Sequence, residues 1–166
     1  QKQAVHNSLE NNFSSGVHFH ATGTGKSWVS FYILAYFFNM YKENKLKFEI
    51  TPDPLIIFWI CERKSILKEQ FDKSTLSDRG FYDFIKASFH VLNFTDNKMK
   101  TWVSAINSSK FWKKPILVII NRGFLTSQSR YTGILSPIHL VLHDECHSIS
   151  NRSTQEFYKW LLSHNN

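Results

Sequence analysis

An α/β fold, with helices layered on both faces of a mainly parallel central sheet, is predicted by three observations. Short apolar runs alternate with amphipathic stretches along the chain, the pattern of stacked βαβ units. Three of these runs are nearly continuous in Ile, Leu and Val, as strands covered on both faces should be. Finally, 166 residues at 42% hydrophobic and 16% aromatic can bury one ordinary core, so a single domain spanning 1–166 is expected.

The predicted strands are, in order, "GVHFHA" (16–21), "PLIIFWIC" (54–61), "FHVLNF" (89–94), "PILVIIN" (115–121) and "IHLVLHD" (138–144). Helices are expected over 26–41, 65–73 and 98–108, with a short one after Gly123. A last helix is signalled by "STQEFYKWLLSH": Ser153 and Glu156 stand three apart as a capping box, ahead of an apolar face of Phe157, Trp160 and Leu161. The polar segments 41–54 and 72–84 read as surface connections, and neither marks a domain boundary.

Charge and cysteine usage narrow the function. Twenty Lys and Arg against thirteen Asp and Glu leave a net charge of +7, which favours a polyanionic partner. Cys61 and Cys146 are too few for a disulfide framework, have no CxxC spacing, and read as reduced intracellular residues. The longest apolar run, from Trp28 to Tyr41, falls short of the roughly 18–20 residues that span a bilayer, so no membrane role is expected. It follows a lysine and lacks a cleavage-type tail of small residues, which argues against a signal peptide.

In "HATGTGKS" the chain meets the phosphate-loop rule G-x-x-x-x-G-K-[ST], except that His20 holds the first glycine position. Within the intact core, Thr22, Gly23, Thr24, Gly25, Lys26 and Ser27, the glycines let the backbone turn tightly so that its N–H groups face phosphate oxygens. The helix that follows adds the positive end of its dipole. Lys26 is expected to reach the β- and γ-phosphates of ATP, and the Ser27 hydroxyl to ligate Mg2+.

A second motif, "IHLVLHDECH", sets Asp144 and Glu145 at the end of an apolar strand, where open α/β sheets gather ligands. Asp144 is expected to hold the Mg2+ and Glu145 to orient and deprotonate the attacking water. As 118 residues separate Lys26 from Asp144, only the fold can bring the motifs together. The rival reading is a zinc site from His139, His143, Cys146 and His147. Along a strand, however, His139 and His143 stand about 13 Å apart, too far to share an ion bound at about 2 Å. His147, directly after the acidic pair, has the better claim to function, as a coupling residue.

Together "HATGTGKS" and "DECH" resemble motifs I and II of the superfamily 2 DEAD/DEAH-like helicases, in the branch that holds the motors of type I and type III restriction enzymes. "QKQAV" resembles that branch's adenine-reading segment, with Gln1 in the glutamine position. "FWICERKSILKEQ" resembles motif Ia through Arg63, Leu67 and Gln70, with Glu62 where a proline is common. "VIINRGFLTSQ" resembles the next nucleic-acid-contacting motif, with Asn121 and Arg122 at the strand end. The resemblance implies a RecA-like phosphate-loop NTPase lobe that uses ATP and Mg2+, and contacts to a nucleic acid strand, DNA before RNA, from Arg63, Lys64, Asn121 and Arg122. It also implies a second RecA-like lobe that this sequence lacks, so the chain reads as a piece of a longer motor. Two other classes stay in view: a kinase acting on a small acceptor, and a module that binds nucleotide without turnover.

Overall fold

The computed structural model describes residues 2–10, 26–48, 50–96, 101–144 and 149–165. The chain divides into two compact units, Gln1–Thr51 and Pro52–Asn166. The first contains α1 (Lys2–Glu10) and α2 (Lys26–Lys42). Ala4 and Val5 of α1 are buried, and the buried residues of α2, Val29, Phe31, Ile33, Leu34, Phe37 and Phe38, fall on more than one face of the helix. The predicted strand over 16–21 lies outside the described residues. No helix among the described residues is long and apolar enough to cross a membrane.

The second unit is built on four parallel strands: β1 (Ile56–Cys61), β2 (His90–Asn93), β3 (Ile116–Asn121) and β4 (Leu140–Asp144), in the order β2-β3-β1-β4. Every residue of β1 and β3 is buried, which explains their unbroken apolar sequences. On one face, Ile56, Phe58 and Ile60 join Ile116, Val118 and Ile120 in a cluster with Trp102 and Ile106 of α6 (Trp102–Ser108), Leu125 of α7 (Arg122–Thr126), and Phe157 and Leu161 of α8 (Arg152–His164). On the other, Trp59 meets Phe71 edge-on, centroids 5.1 Å apart, at the end of α3 (Lys64–Gln70). The unit is therefore α/β with a parallel sheet between helices, as the apolar pattern predicts.

Two local expectations are corrected. The stretch 72–84 is not plain connection: α4 (Lys73–Ser77) and α5 (Phe81–Ser88) occupy most of it. Asp72 caps α4 by accepting from the Ser74 N–H, and Gly80, at φ 73, takes the left-handed turn from which α5 starts. Leu76, Phe81 and Ile85 are the buried residues that hold the pair down. The cap of α8 is Asn151, not Ser153: its Oδ1 accepts from the Ser153 N–H at 3.0 Å and from Ser153 Oγ at 2.7 Å, while Glu156 pairs with Arg152 one turn back.

His139, which precedes β4, has a structural task. The Ile56 N–H at the start of β1 donates to its Nδ1 at 3.0 Å, an arrangement open only to the unprotonated nitrogen. Burial holds this imidazole below the ordinary histidine range. The folded state thus favours the neutral ring: its stability is fully present above the unfolded value of 6.5 and is lost as pH falls below it. His139→Gln is expected to flatten the fall of the thermal unfolding midpoint between neutral pH and about pH 5, whereas an unchanged slope would assign that sensitivity elsewhere.

Candidate nucleotide and nucleic-acid site at the strand ends

The register of the sheet aligns the carboxyl ends of three strands. Cys61 at the end of β1 pairs with Asn121 on one side and Asp144 on the other. The next residues, Glu62 and Arg122, leave the sheet from adjacent strands, and His143 lies beside Ile60. Polar side chains that are 60 to 81 residues apart in sequence thereby meet.

Asp144 is only 8% exposed, and its Oδ2 accepts from Gln70 Nε2 at 2.5 Å. Gln70 reaches it because it lies three residues after Leu67 on α3, so both fall on the buried face of that helix. Leu67 anchors the helix against the core and Gln70 uses the same orientation to fix the carboxylate.

Beside it lies a second network. Arg122 Nε donates to Glu62 Oε2 at 2.6 Å, and His143 Nε2 lies 3.2 Å from Glu62 Oε1. His143 Nδ1 is 2.8 Å from the Tyr158 hydroxyl of α8, and the two rings are nearly parallel. The side chains are largely withdrawn from water: Glu62 is 10% exposed, Arg122 20% and His143 7%. Burial lowers the His143 pKa, and the facing Glu62 carboxylate works in the opposite direction. In such a site the loss of one charged partner strands the other, so Glu62 both positions Arg122 and balances its charge.

The residues expected to touch nucleic acid therefore divide. Arg63 and Lys64 are exposed at the turn from β1 into α3. Asn121 is turned inward: its Nδ2 donates to the carbonyls of Glu62 at 2.6 Å and Cys61 at 3.3 Å, and its Oδ1 caps α7 at the Phe124 N–H. Its side chain ties two strand ends together and is not displayed to a ligand. Arg122 faces the same end but is held by Glu62.

Lys26 opens α2 and Ser27, half-buried, follows it. Gln1, Thr22, Gly23, Thr24, Gly25, Glu145, Cys146 and His147 lie outside the described residues. Among the described residues no cluster of His, Cys, Asp or Glu could hold a metal ion, and His139 and His143 are engaged as stated. The donors that the motifs offer, a Ser27 hydroxyl and the Asp144 carboxylate, are hard oxygens of the kind that Mg2+ takes. Reading the sequence missed Glu62, Gln70 and Tyr158 as partners in this site. The i, i+3 spacing of Leu67 and Gln70 was the available signal for one of them.

The family model for the type III restriction enzyme res subunit matches residues 1–166. Comparison with curated proteins and with solved structures finds no significant match. The match spans the whole chain and agrees with the parallel sheet and the buried acid at the end of β4. The chain belongs to the ResIII family of DEAD-like superfamily 2 helicase ATPase lobes.

Proposed function

We propose that this chain is the ATP-binding and hydrolysing lobe of a nucleic-acid motor, acting on DNA in preference to RNA and completed by a second RecA-like lobe. The observation that carries the reading is Asp144: a buried carboxylate held by Gln70 at the carboxyl end of a parallel strand, in a chain whose other motif opens α2 with Lys26 and Ser27.

In this reading Thr22 to Gly25 present backbone N–H groups to the phosphates, Lys26 places its ammonium on the β- and γ-oxygens, and Gln1 reads the adenine edge. Ser27 and Asp144 would hold Mg2+, which when bound neutralises the phosphate charge. Gln70 keeps the Asp144 carboxylate in one orientation. Glu145 accepts a proton from water as the water oxygen attacks the γ-phosphorus and the bond to the β,γ-bridging oxygen breaks, so that ADP leaves and inorganic phosphate forms. His147 couples the acidic pair to strand movement, and Arg63 and Lys64 contact phosphates of the tracked strand, with Arg122 behind them.

A motor is separable from a kinase or a passive binder by its response to polymer. ATP hydrolysis by the protein carrying this chain is expected to rise several-fold with single- or double-stranded DNA and less with RNA, measured as phosphate release at fixed salt. No stimulation by any nucleic acid overturns the motor reading. Tight ATP binding with no hydrolysis under every condition leaves a nucleotide-binding module.

A further inference from the structure

Edge strand β2 carries a feature that the ATPase reading does not use. A groove of about 510 Å3 opens beside edge strand β2, within the range of ligand sites. Its lining includes Ile85, Phe89 and Val91, with Tyr82, Lys86 and Trp112 among the polar and aromatic residues. Lys114 also lines it, and no described lining residue is a carboxylate.

The aromatic part is pre-built. Trp112 stacks on His90, with centroids 4.6 Å apart and planes 12° from parallel, yet remains 65% exposed. Beside it Phe111 is 78% exposed, with the Lys110 ammonium 5.4 Å above its ring. Large exposed aromatics at adjacent positions are costly unless something covers them. Lys86 and Lys114 line the same groove: Lys114 Nζ donates to the Lys86 carbonyl at 3.3 Å, and the Lys73 and Lys86 ammoniums lie 5.3 and 6.0 Å from the Tyr82 ring.

We propose that this groove binds single-stranded nucleic acid, its bases stacking on Trp112 and Phe111 and its phosphates meeting Lys86 and Lys114. A stacking platform within a positive groove is what sequence-tolerant single-strand recognition requires, and the charge complementarity selects a polyanion over an apolar peptide. The site is separate from the strand path of the proposed motor. Its Trp112 and Lys114 lie just before β3, whose six residues run about 17 Å toward the carboxyl-end face of Arg63, Lys64 and Arg122, while Asn93 and Ile119 line the groove farther along the strands. A strand held at both ends would be anchored at a point that does not change with the nucleotide.

The test is fluorescence anisotropy of a fluorescein-labelled oligodeoxythymidine with the whole chain, without nucleotide. Trp112→Ala is expected to weaken binding about tenfold, while Trp112→Phe keeps most of the affinity. The pair Lys86→Glu and Lys114→Glu should also weaken it, and lower the salt slope by about two. The exposed position of Trp112 predicts an unchanged unfolding midpoint, which certifies the variant as folded. Wild-type affinity in Trp112→Ala and in the double lysine variant overturns the proposal. If binding then falls only with Arg63→Glu and Lys64→Glu, the motor reading survives without it. If Trp112→Ala dissociates an oligomer in sedimentation and leaves oligonucleotide affinity unchanged, the face is a protein contact and the proposal falls.

Discussion

Glu145→Gln is expected to leave ATP bound and to reduce its hydrolysis by about 10²- to 10⁴-fold, the usual contribution of a positioned general base. Glutamine keeps the shape of glutamate and can still hydrogen-bond a water, but it cannot take the proton. Asp144, the residue before Glu145 in sequence, is fixed in two ways: as the last residue of β4, in register with Cys61, and by the hydrogen bond from Gln70. Asp144 ends β4 at the carboxyl end of the sheet, where α/β proteins hold their ligands. Binding is read by titration calorimetry with ATP and Mg2+, and turnover by phosphate release with DNA present. Normal turnover in Glu145→Gln rejects the assigned base. Loss of ATP binding together with turnover makes the residue part of the grip on nucleotide instead.

β1 and β3 were legible because burial on both faces leaves them almost wholly apolar. "PLIIFWIC" and "PILVIIN" contain β1 and β3, and all twelve residues of these two strands are buried. The acid at the end of β4 was legible for a related reason: a carboxylate following an apolar run must sit where the strand leaves the core. What was not legible is polar and distant in sequence. Glu62 meets Arg122 60 residues on and His143 81 residues on, and no local pattern marks a pair whose partners are set by strand order. Asn121 shows a second task that local sequence did not reveal. A polar residue at a strand end looks like a ligand contact, yet here the carbonyls of Cys61 and Glu62 claim its amide because β1 and β3 end side by side. Helix α4 escaped notice because Leu76 is its one apolar anchor among polar neighbours, and α5, anchored by Phe81 and Ile85, because it is only eight residues long.

The same sheet links stability to the site, and Trp59→Ala exposes the link. Trp59 is fully buried in the central strand, between Ile119 of β3 and Leu142 of β4, and meets Phe71 edge-on at 5.1 Å. Its removal is expected to cost about 3–5 kcal/mol, the usual range for truncating a large buried aromatic, from a total that for most domains is about 5–15 kcal/mol. Urea unfolding would show this as a lower midpoint at unchanged slope. The cavity also has a specific address. Phe71 directly follows Gln70, whose Nε2 holds Asp144, so the loss of the ring contact frees the end of α3 that orients the carboxylate. The folded fraction of Trp59→Ala should therefore need about tenfold more Mg2+ for half-maximal hydrolysis, as expected when the partner that orients a metal ligand is lost. Trp59→Phe, which keeps an aromatic ring in the strand, should recover most of the Mg2+ response while remaining less stable than the native chain. If Trp59→Ala lowers stability but its Mg2+ requirement is native, α3 is anchored by Leu67 alone, and Gln70 holds its place without the ring beside it.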